Sequence, residues 1–520
     1  SIRRRYQMAL IDEFQDTDAV QWRIFERVFG GDARLQLIGD PKQAIYAFRG
    51  ADIDTYRQVA EEIPPTRRYT LTTNFRSDGR YLDAVGALFG RAELEPKGAF
   101  ADEQIRHVPV RAAPAHQDDR LRFGDDPRPP LEIRYFPRTL VTKEHGGDPP
   151  ATITKGWAEP RVTRMVAHEI VELLETSPTL HYADQAPRPV TPGDLAVLVQ
   201  TNLQASRIQS ALLDAGVPAV IESDASVLAS PEATAVQRLL DALLAPSSER
   251  KVRPALLGPL IGVSAHELDR ADDLDWDRWS DDLASWAATW REQGIAVALR
   301  QIMQEHTSAA NSLRQLRGER TVTNLLHLRE LLHGAERSEQ LGPVALAAWL
   351  RDQRRQEHDQ QQDRELRLES DADAVTVATI HRAKGLQYGV VWCPFLWEGR
   401  ALKGPSAKVV RYRDPDTRQR ALHVSGEGDD HTLAKRIAER EMWEERHRLL
   451  YVALTRAMHR CVVYTGPFKS FGTSSLARLL HAADCSDDGQ LPEDFNNRTD
   501  EELLAELEDL RSADVGVSVV

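Results

Sequence analysis

The sequence is poor in cysteine: its 520 residues include three, Cys393, Cys461 and Cys485. They are too few and too scattered for a disulfide framework, a four-cysteine zinc site or a four-cysteine iron–sulfur cluster. A reducing compartment is therefore expected, and with it a cytoplasmic location. No apolar run is long enough to cross a bilayer, and the N-terminal Ser1-Ile2-Arg3-Arg4-Arg5 lacks the apolar stretch of a signal peptide, so neither a membrane span nor an export signal is expected. An excess of positive charge is missing too: 66 Lys and Arg against 80 Asp and Glu leave a net charge of −14. A protein that held nucleic acid by bulk charge would be basic, so any DNA contact has to be a local groove in which aromatic stacking shares the work. Nor does a Gly-x-x-x-x-Gly-Lys-Ser/Thr stretch occur anywhere in the chain. Backbone N–H groups that cradle a phosphate, with their lysine and Mg²⁺-binding hydroxyl, have no substitute here.

What is present reads as a folded chain, with 41% hydrophobic and 28% charged residues arguing against wholesale disorder. At about 150 residues per domain the length suggests three or four domains. The first stretch alternates strand and helix signals. Met8-Ala9-Leu10-Ile11 stops at Asp12-Glu13, and Asp18 caps a helix carrying Val20, Ile24 and Val28. Leu35-Gln36-Leu37-Ile38 then breaks at Gly39-Asp40-Pro41. Strand, helix and strand in so short a span is the signature of a parallel sheet, and both polar clusters fall at strand C-termini, where open α/β sheets bind ligands. Residues 91–160 are proline-rich and aperiodic and read as an irregular excursion. Strand signals return at Asp194–Val199, give way to an almost unbroken helical pattern over 231–368, and return again at Val375–Ile380 and Val390–Trp392. A charged helix covers roughly 433–454, with Cys461–Tyr464 as a last strand. The tail from 486 is acidic and reads as a linker with a possible short helix at 500–510. The fold class is α/β, interrupted by an all-helical insertion.

The chemistry-bearing residues cluster in blocks. Ile11-Asp12-Glu13-Phe14-Gln15-Asp16 has the form of a Walker B segment: phosphoryl transfer needs a carboxylate for Mg²⁺ and a neighbouring group that positions water. The next strand end carries Gly39-Asp40-Pro41-Lys42-Gln43-Ala44-Ile45-Tyr46-Ala47-Phe48-Arg49-Gly50-Ala51-Asp52, followed by Thr73-Asn74-Phe75-Arg76-Ser77. Tyr46 and Phe48 are two apart, so in an extended segment both rings face one way and can accept successive bases or pack in a core. Trp276, Trp279, Trp286 and Trp290 keep a helical rhythm and read as a buried stripe. Arg436, Arg440, Arg446 and Arg448 alternate with Glu439, Glu441, Glu444 and Glu445, which reads as an exposed helix face with Glu444–Arg448 as an i, i+4 pair.

With Ala378–Leu386 and Glu445–Ala457 added, these blocks resemble motifs II, III, IV, V and VI of superfamily 1 DNA helicases of the UvrD/Rep/RecB group, in family order. The wording Asp40-Pro41-Lys42-Gln43-Ala44-Ile45-Tyr46-Ala47-Phe48-Arg49 is similar to the RecB branch, the beta subunit of exodeoxyribonuclease V. The resemblance spans residues 11–457. It implies RecA-like parallel-sheet motor domains: 1–70 as the C-terminal part of the first, 71–230 and 369–480 as two segments of the second, 231–368 as its helical insertion and 481–520 as an acidic linker. It also implies a piece of a longer protein, lacking the Walker A segment and the nuclease domain.

The resemblance assigns roles residue by residue. Asp12 would hold Mg²⁺ and Glu13 would activate the attacking water. Gln43 would sense the γ-phosphate, and Arg76 and Arg456 would act as arginine fingers. Phe75 would pack on adenine, while Gln387 stands where the group commonly has Glu beside the nucleotide sugar. Tyr46, Phe48, Arg49 and His381 would track single-stranded DNA. ATP and Mg²⁺ are the implied substrate and metal, and DNA ends with RecC-like and RecD-like subunits the implied partners. The implied function is part of an ATP-dependent 3′–5′ helicase subunit of a helicase–nuclease acting in double-strand break repair and recombination, a chain inactive as an ATPase on its own. The alternative is a non-catalytic, motor-derived scaffold.

Overall fold

The computed structural model describes residues 2–520 apart from 7, 31–33, 48–50, 93–97, 101, 103, 125–127, 146, 184, 223–226, 259, 306–317, 357–372, 400–407, 416–419, 425–427, 486–490, 493 and 513–515. They form two compact units, Ser1–Glu222 with Ala372–Val520, and Ser223–Asp371.

The first unit begins with β1 (Met8–Ile11), α1 (Ala19–Phe29) and β2 (Arg34–Leu37), the two strands parallel with Ile11 opposite Leu37. Asp18 caps α1 through Val20 N and Gln21 N, and Gln21 answers with a reciprocal bond. After α2 (Ile53–Glu62) and α3 (Gly79–Arg91) come β3 (Leu131–Tyr135), α4 (Lys155–Thr176), β4 (Leu195–Val199), α5 (Asn202–Asp214) and β5 (Ala219–Glu222). The chain returns through β6 (Val375–Thr379), β7 (Tyr388–Cys393), α6 (Asp429–Leu454), β8 (Ala457–Thr465), α7 (Asp500–Ser512) and β9 (Val517–Val519). Seven of these strands make one sheet in the order β5-β6-β4-β7-β8-β3-β9, every pair parallel. Every residue of β4 and β7 is buried, as expected of a parallel sheet covered on both faces. The all-parallel sheet makes the unit α/β.

Two sequence expectations need correction. The stretch 91–160 is not merely an excursion, because β3 lies between β8 and β9 in the large sheet. Its alternation of Leu, Glu, Ile, Arg and Tyr hides the strand, since Glu132 is buried and neutralised by Arg460 and Arg134. The tail is no linker either: Leu503, Leu507 and Leu510 of α7 enter the main core, and β9 adds an edge strand to β3. Asp500 anchors it, accepting from Tyr135 OH at 2.9 Å and from Arg138 Nη1 at 2.6 Å.

The second unit contains helices and no strand among the described residues, including Pro231–Leu243, Asp273–Gln293, Ile295–Glu305, Gly318–Ser338 and Pro343–Gln356. Its own core gathers Leu239, Leu240, Leu243, Leu328 and Leu346. Trp279, Trp286 and Trp290 are buried and Trp276 packs against them, so the tryptophan stripe is structural.

Candidate functional site

Asp12 and Glu13 follow the last residue of β1 and are exposed. Asp12 Oδ1 accepts the Glu13 amide at 2.8 Å, and Glu13 takes a left-handed conformation, φ 52°, uncommon for a residue with a side chain. Gln15, fully buried, ties this turn to the next strand end. Its Nε2 donates to Glu13 Oε2 at 2.5 Å, and its Oε1 accepts the Asp40 amide at 2.9 Å. Glycine at 39 makes that approach possible: a Cβ there would sit 2.7 Å from Gln15 Oε1.

Asp40 caps the short turn Pro41–Gln43, accepting from Lys42 N at 3.0 Å, Lys42 Nζ at 2.7 Å and Gln43 Nε2 at 3.1 Å. The Gln43 amide is thereby oriented, and its Oε1 faces Arg456 Nη2 at 3.4 Å. Arg456 follows α6, one residue past its C-cap Thr455, and is almost wholly buried. It donates to Val452 O, Leu386 O and Thr455 Oγ1 at 3.0, 3.2 and 3.1 Å. Arg76 comes from the loop after Thr73–Asn74 and donates to Gln387 Oε1 at 3.0 Å and Thr455 O at 3.1 Å. Among the described residues neither guanidinium lies within ion-pair distance of a carboxylate. Burial, followed by the charge of Arg76, pushes Arg456 from 12.5 down to about 10, and burial lowers Arg76 as well. Both remain cations at neutral pH. Both guanidiniums donate to carbonyl, amide and hydroxyl oxygens.

A buried ionic cluster fixes the spacing of the two arginines. Ser77 Oγ donates to Ala457 O at 2.9 Å, and the Asp78 amide to Met458 O at 2.9 Å. The Asp78 carboxylate meets Arg120 Nε at 2.5 Å and His459 Nδ1 at 2.8 Å. Burial alone would raise Asp78; His459 and Arg120 together hold it below the usual carboxylate range.

Lys384 lies at the centre of the same region with its side chain 5% exposed. It pairs with Asp16, donates to Gln43 O at 2.7 Å and stands 4.8 Å from the centre of the Tyr46 ring. Burial raises the Asp16 carboxyl against the pull of Lys384, and one Asp16 oxygen is buried without a hydrogen-bond partner among the described residues. Glu13 Oε2 is 3.8 Å from Lys384 Nζ.

The structure therefore gathers Glu13, Gln43, Arg76, Gln387 and Arg456 around one location, with Asp12 on the adjoining strand end. Phe75, beside Arg76, is 75% exposed and is not a core residue. Tyr46 is half-buried, and its OH donates to His381 O at 3.0 Å. Phe48 and Arg49 lie outside the described residues. The expected Glu444–Arg448 pair is replaced: Glu444 pairs with Arg440 at 3.0 Å, while Arg448 is buried and donates to Ala44 O at 2.8 Å. Sequence reasoning left Lys384, Asp16 and Gln15 without roles although their blocks were recognised. Arg120 carries no sequence signal. For Mg²⁺, a hard cation that keeps several waters and takes one or two protein carboxylates, the exposed oxygens of Asp12 and Glu13 are a fitting donor set.

Residues 1–64 match the UvrD/REP helicase N-terminal domain and residues 290–465 the UvrD-like helicase C-terminal domain. The chain's relatives carry a more particular name. It is similar to RecBCD enzyme subunit RecB of Mycolicibacterium smegmatis, 36% identical over 92% of this chain and 41% of that protein. The RecB subunit of Escherichia coli is 34% identical over 90% of this chain and 38% of its own length, and that of Haemophilus influenzae 33% over 88% and 36%. The chain thus spans about two fifths of the length of these relatives.

Proposed function

We propose that this chain is part of the motor of a RecBCD-type helicase subunit, which hydrolyses ATP with Mg²⁺ to move 3′ to 5′ on single-stranded DNA during double-strand break repair and recombination. The observation that carries the reading is the convergence of Gln43, from the turn after β2, with Arg456, from the segment between α6 and β8, and Arg76, from the loop after Thr73–Asn74, at a site where, among the described residues, the two guanidiniums have no carboxylate partner. That arrangement supports binding of a transferring phosphoryl group, whose charge spreads over its equatorial oxygens.

In this reading Asp12 holds Mg²⁺, which supplies charge neutralisation at the phosphates. Glu13 orients and deprotonates the attacking water. Gln43 reports the γ-phosphate to the following loop, Arg76 and Arg456 stabilise the developing charge, and the exposed Phe75 ring covers the adenine. Gln387, bonded to Arg76, orients that finger in addition to its place beside the sugar. Tyr46, Phe48, Arg49 and His381 grip the DNA strand. RecC-like and RecD-like subunits are the proposed partners, and the cytoplasm the proposed compartment.

The test is ATP turnover. This chain alone, without a phosphate-cradling loop, should hydrolyse ATP negligibly. In a polypeptide that joins it to such a loop, DNA-stimulated turnover should appear, and Glu13→Gln should lower it by about 10²–10⁴-fold. Robust turnover by the chain alone, or an unimpaired Glu13→Gln variant, would overturn the assignment.

A further inference from the structure

Between motifs V and VI the chain forms an antiparallel hairpin that none of the roles above uses. Its strands, Val410–Arg413 and Arg420–His423, pair with Val410 opposite His423 and Arg413 opposite Arg420. It has a footing of its own on α6, where Val410, Ala434 and Ala438 make a small core with Tyr412 against it. The Arg413 amide donates to Glu441 Oε1 of the same helix at 3.0 Å. From that footing two guanidiniums reach the segment after Gln43. Arg413 pairs with Asp52 and, through Nε, with Asp54 Oδ2 at 2.8 Å. Arg420 Nη2 donates to Ala47 O at 3.0 Å and to Ala51 O at 3.5 Å. Asp52 is the residue that starts α2, accepting from Asp54 N at 3.2 Å and Thr55 Oγ1 at 3.0 Å.

We propose that this hairpin is a brace for the DNA-gripping loop, and that Arg413 and Arg420 are positioning residues that couple nucleotide state at Gln43 to the hold on single-stranded DNA. The inference rests on the reading that Tyr46 and its neighbours meet DNA. The loop's two ends are fixed by different means. At its start, Arg448 holds Ala44 O from α6, and Lys384 holds Gln43 O. At its far end, Asp52, Asp54 and the Ala51 carbonyl take side-chain bonds from the hairpin's two arginines, and the Ala47 amide is held in addition by Glu445 of α6. A segment that transmits a shift from Gln43 to Tyr46 needs a fixed far end, because otherwise the displacement is absorbed by the loop. Carbonyl and carboxylate anchors on this guanidinium pair supply that fixed point. The hairpin rests on α6, and Arg456 follows that helix and is tied to it through Val452 O.

The experiment compares Arg413→Ala, Arg420→Ala, Arg413→Lys and Tyr46→Ala in a helicase polypeptide that carries this chain with a phosphate-binding loop. Three readouts are needed: turnover with and without a dT oligonucleotide, amide exchange of peptides covering 44–55, and thermal unfolding. Both alanine variants should cut the ratio of stimulated to unstimulated turnover by about fivefold or more, the range of ordinary coupling between sites. They should also speed exchange in 44–55, and Arg413→Lys should recover part of the ratio. A merely structural role would lower the melting temperature while leaving the ratio unchanged in the molecules that remain folded, and that result overturns the brace. If Tyr46→Ala loses stimulation while both arginine variants keep it, the brace fails and the DNA loop stands. If Tyr46→Ala keeps it as well, the reading of the loop falls and the brace falls with it.

Discussion

Arg456 and Gln43 are 413 positions apart in the chain, and their side chains meet at 3.4 Å. The bond joins the turn after β2 to the segment just past α6, so a shift of the Gln43 amide is felt directly by the guanidinium. Arg456 spends its remaining donors on backbone carbonyls and Thr455, which sets the plane of the fork before any phosphate arrives.

Replacing that fork should therefore act on chemistry more than on binding. Arg456→Ala is expected to lower kcat by about 10³–10⁵-fold, the usual contribution of an arginine finger. Arg456→Lys should recover little, because an ammonium cannot reproduce the planar set of donors. Steady-state ATPase assays with saturating DNA measure this, and a loss under tenfold in the alanine variant would remove Arg456 from the mechanism.

Lys384 and Asp16 form a buried pair with side chains 5% and 18% exposed. Removing one partner strands the other charge, so Lys384→Ala should cost about 3–5 kcal/mol of stability. The double variant Asp16→Asn, Lys384→Ala should be more stable than Lys384→Ala alone, with Asp16→Asn as the second single variant. Urea titrations of the four proteins complete the cycle, and simple additivity would show that the pair contributes no coupling.

A third expectation concerns acid. His447 lies wholly buried in α6, its Nδ1 2.8 Å from Trp443 O, and burial together with Arg478, Arg448 and Arg446 pushes it from 6.5 down to about 3. The unfolded chain takes up this proton near 6.5 and the native one only near 3, so stability should fall as pH drops through that window, by up to about 1.4 kcal/mol per unit. His447→Gln should flatten the slope between pH 6 and 4.5, as followed by urea midpoints. An equal slope in both proteins would assign the acid sensitivity to other groups.

The candidate-site blocks were legible because each is a short run of residues whose proposed chemistry needs those types at that spacing. Asp12, Glu13 and Gln43 could be read at strand ends, and Arg456 within its helix-terminal block. The missed parts depend on partners far away in sequence. Nothing local marks Leu131-Glu132-Ile133-Arg134-Tyr135 as a strand in the middle of a sheet, because its charges are acceptable only once Arg460 and Glu169 are in place. The acidic tail misled for a similar reason. Its Leu503, Leu507 and Leu510 are spaced for one helix face, yet the surrounding acids outweighed that pattern until β9 was seen beside β3. Lys384 shows the remaining limit: a lysine in a known block says nothing of the buried aspartate it meets.

The helical unit leaves the sheet after Glu222 and rejoins it at Val375, on strands that are immediate parallel neighbours with Ala219 opposite Val375. A parallel connection ordinarily needs only about a dozen residues, usually one helix. Here that same topological step carries a body with its own hydrophobic core. Lengthening a closed loop from roughly a dozen to roughly 150 residues costs only about 2 kcal/mol of chain entropy. The connection therefore behaves as a cassette boundary. Evolution or an engineer can exchange, enlarge or trim what hangs between β5 and β6 while the parallel sheet keeps its register.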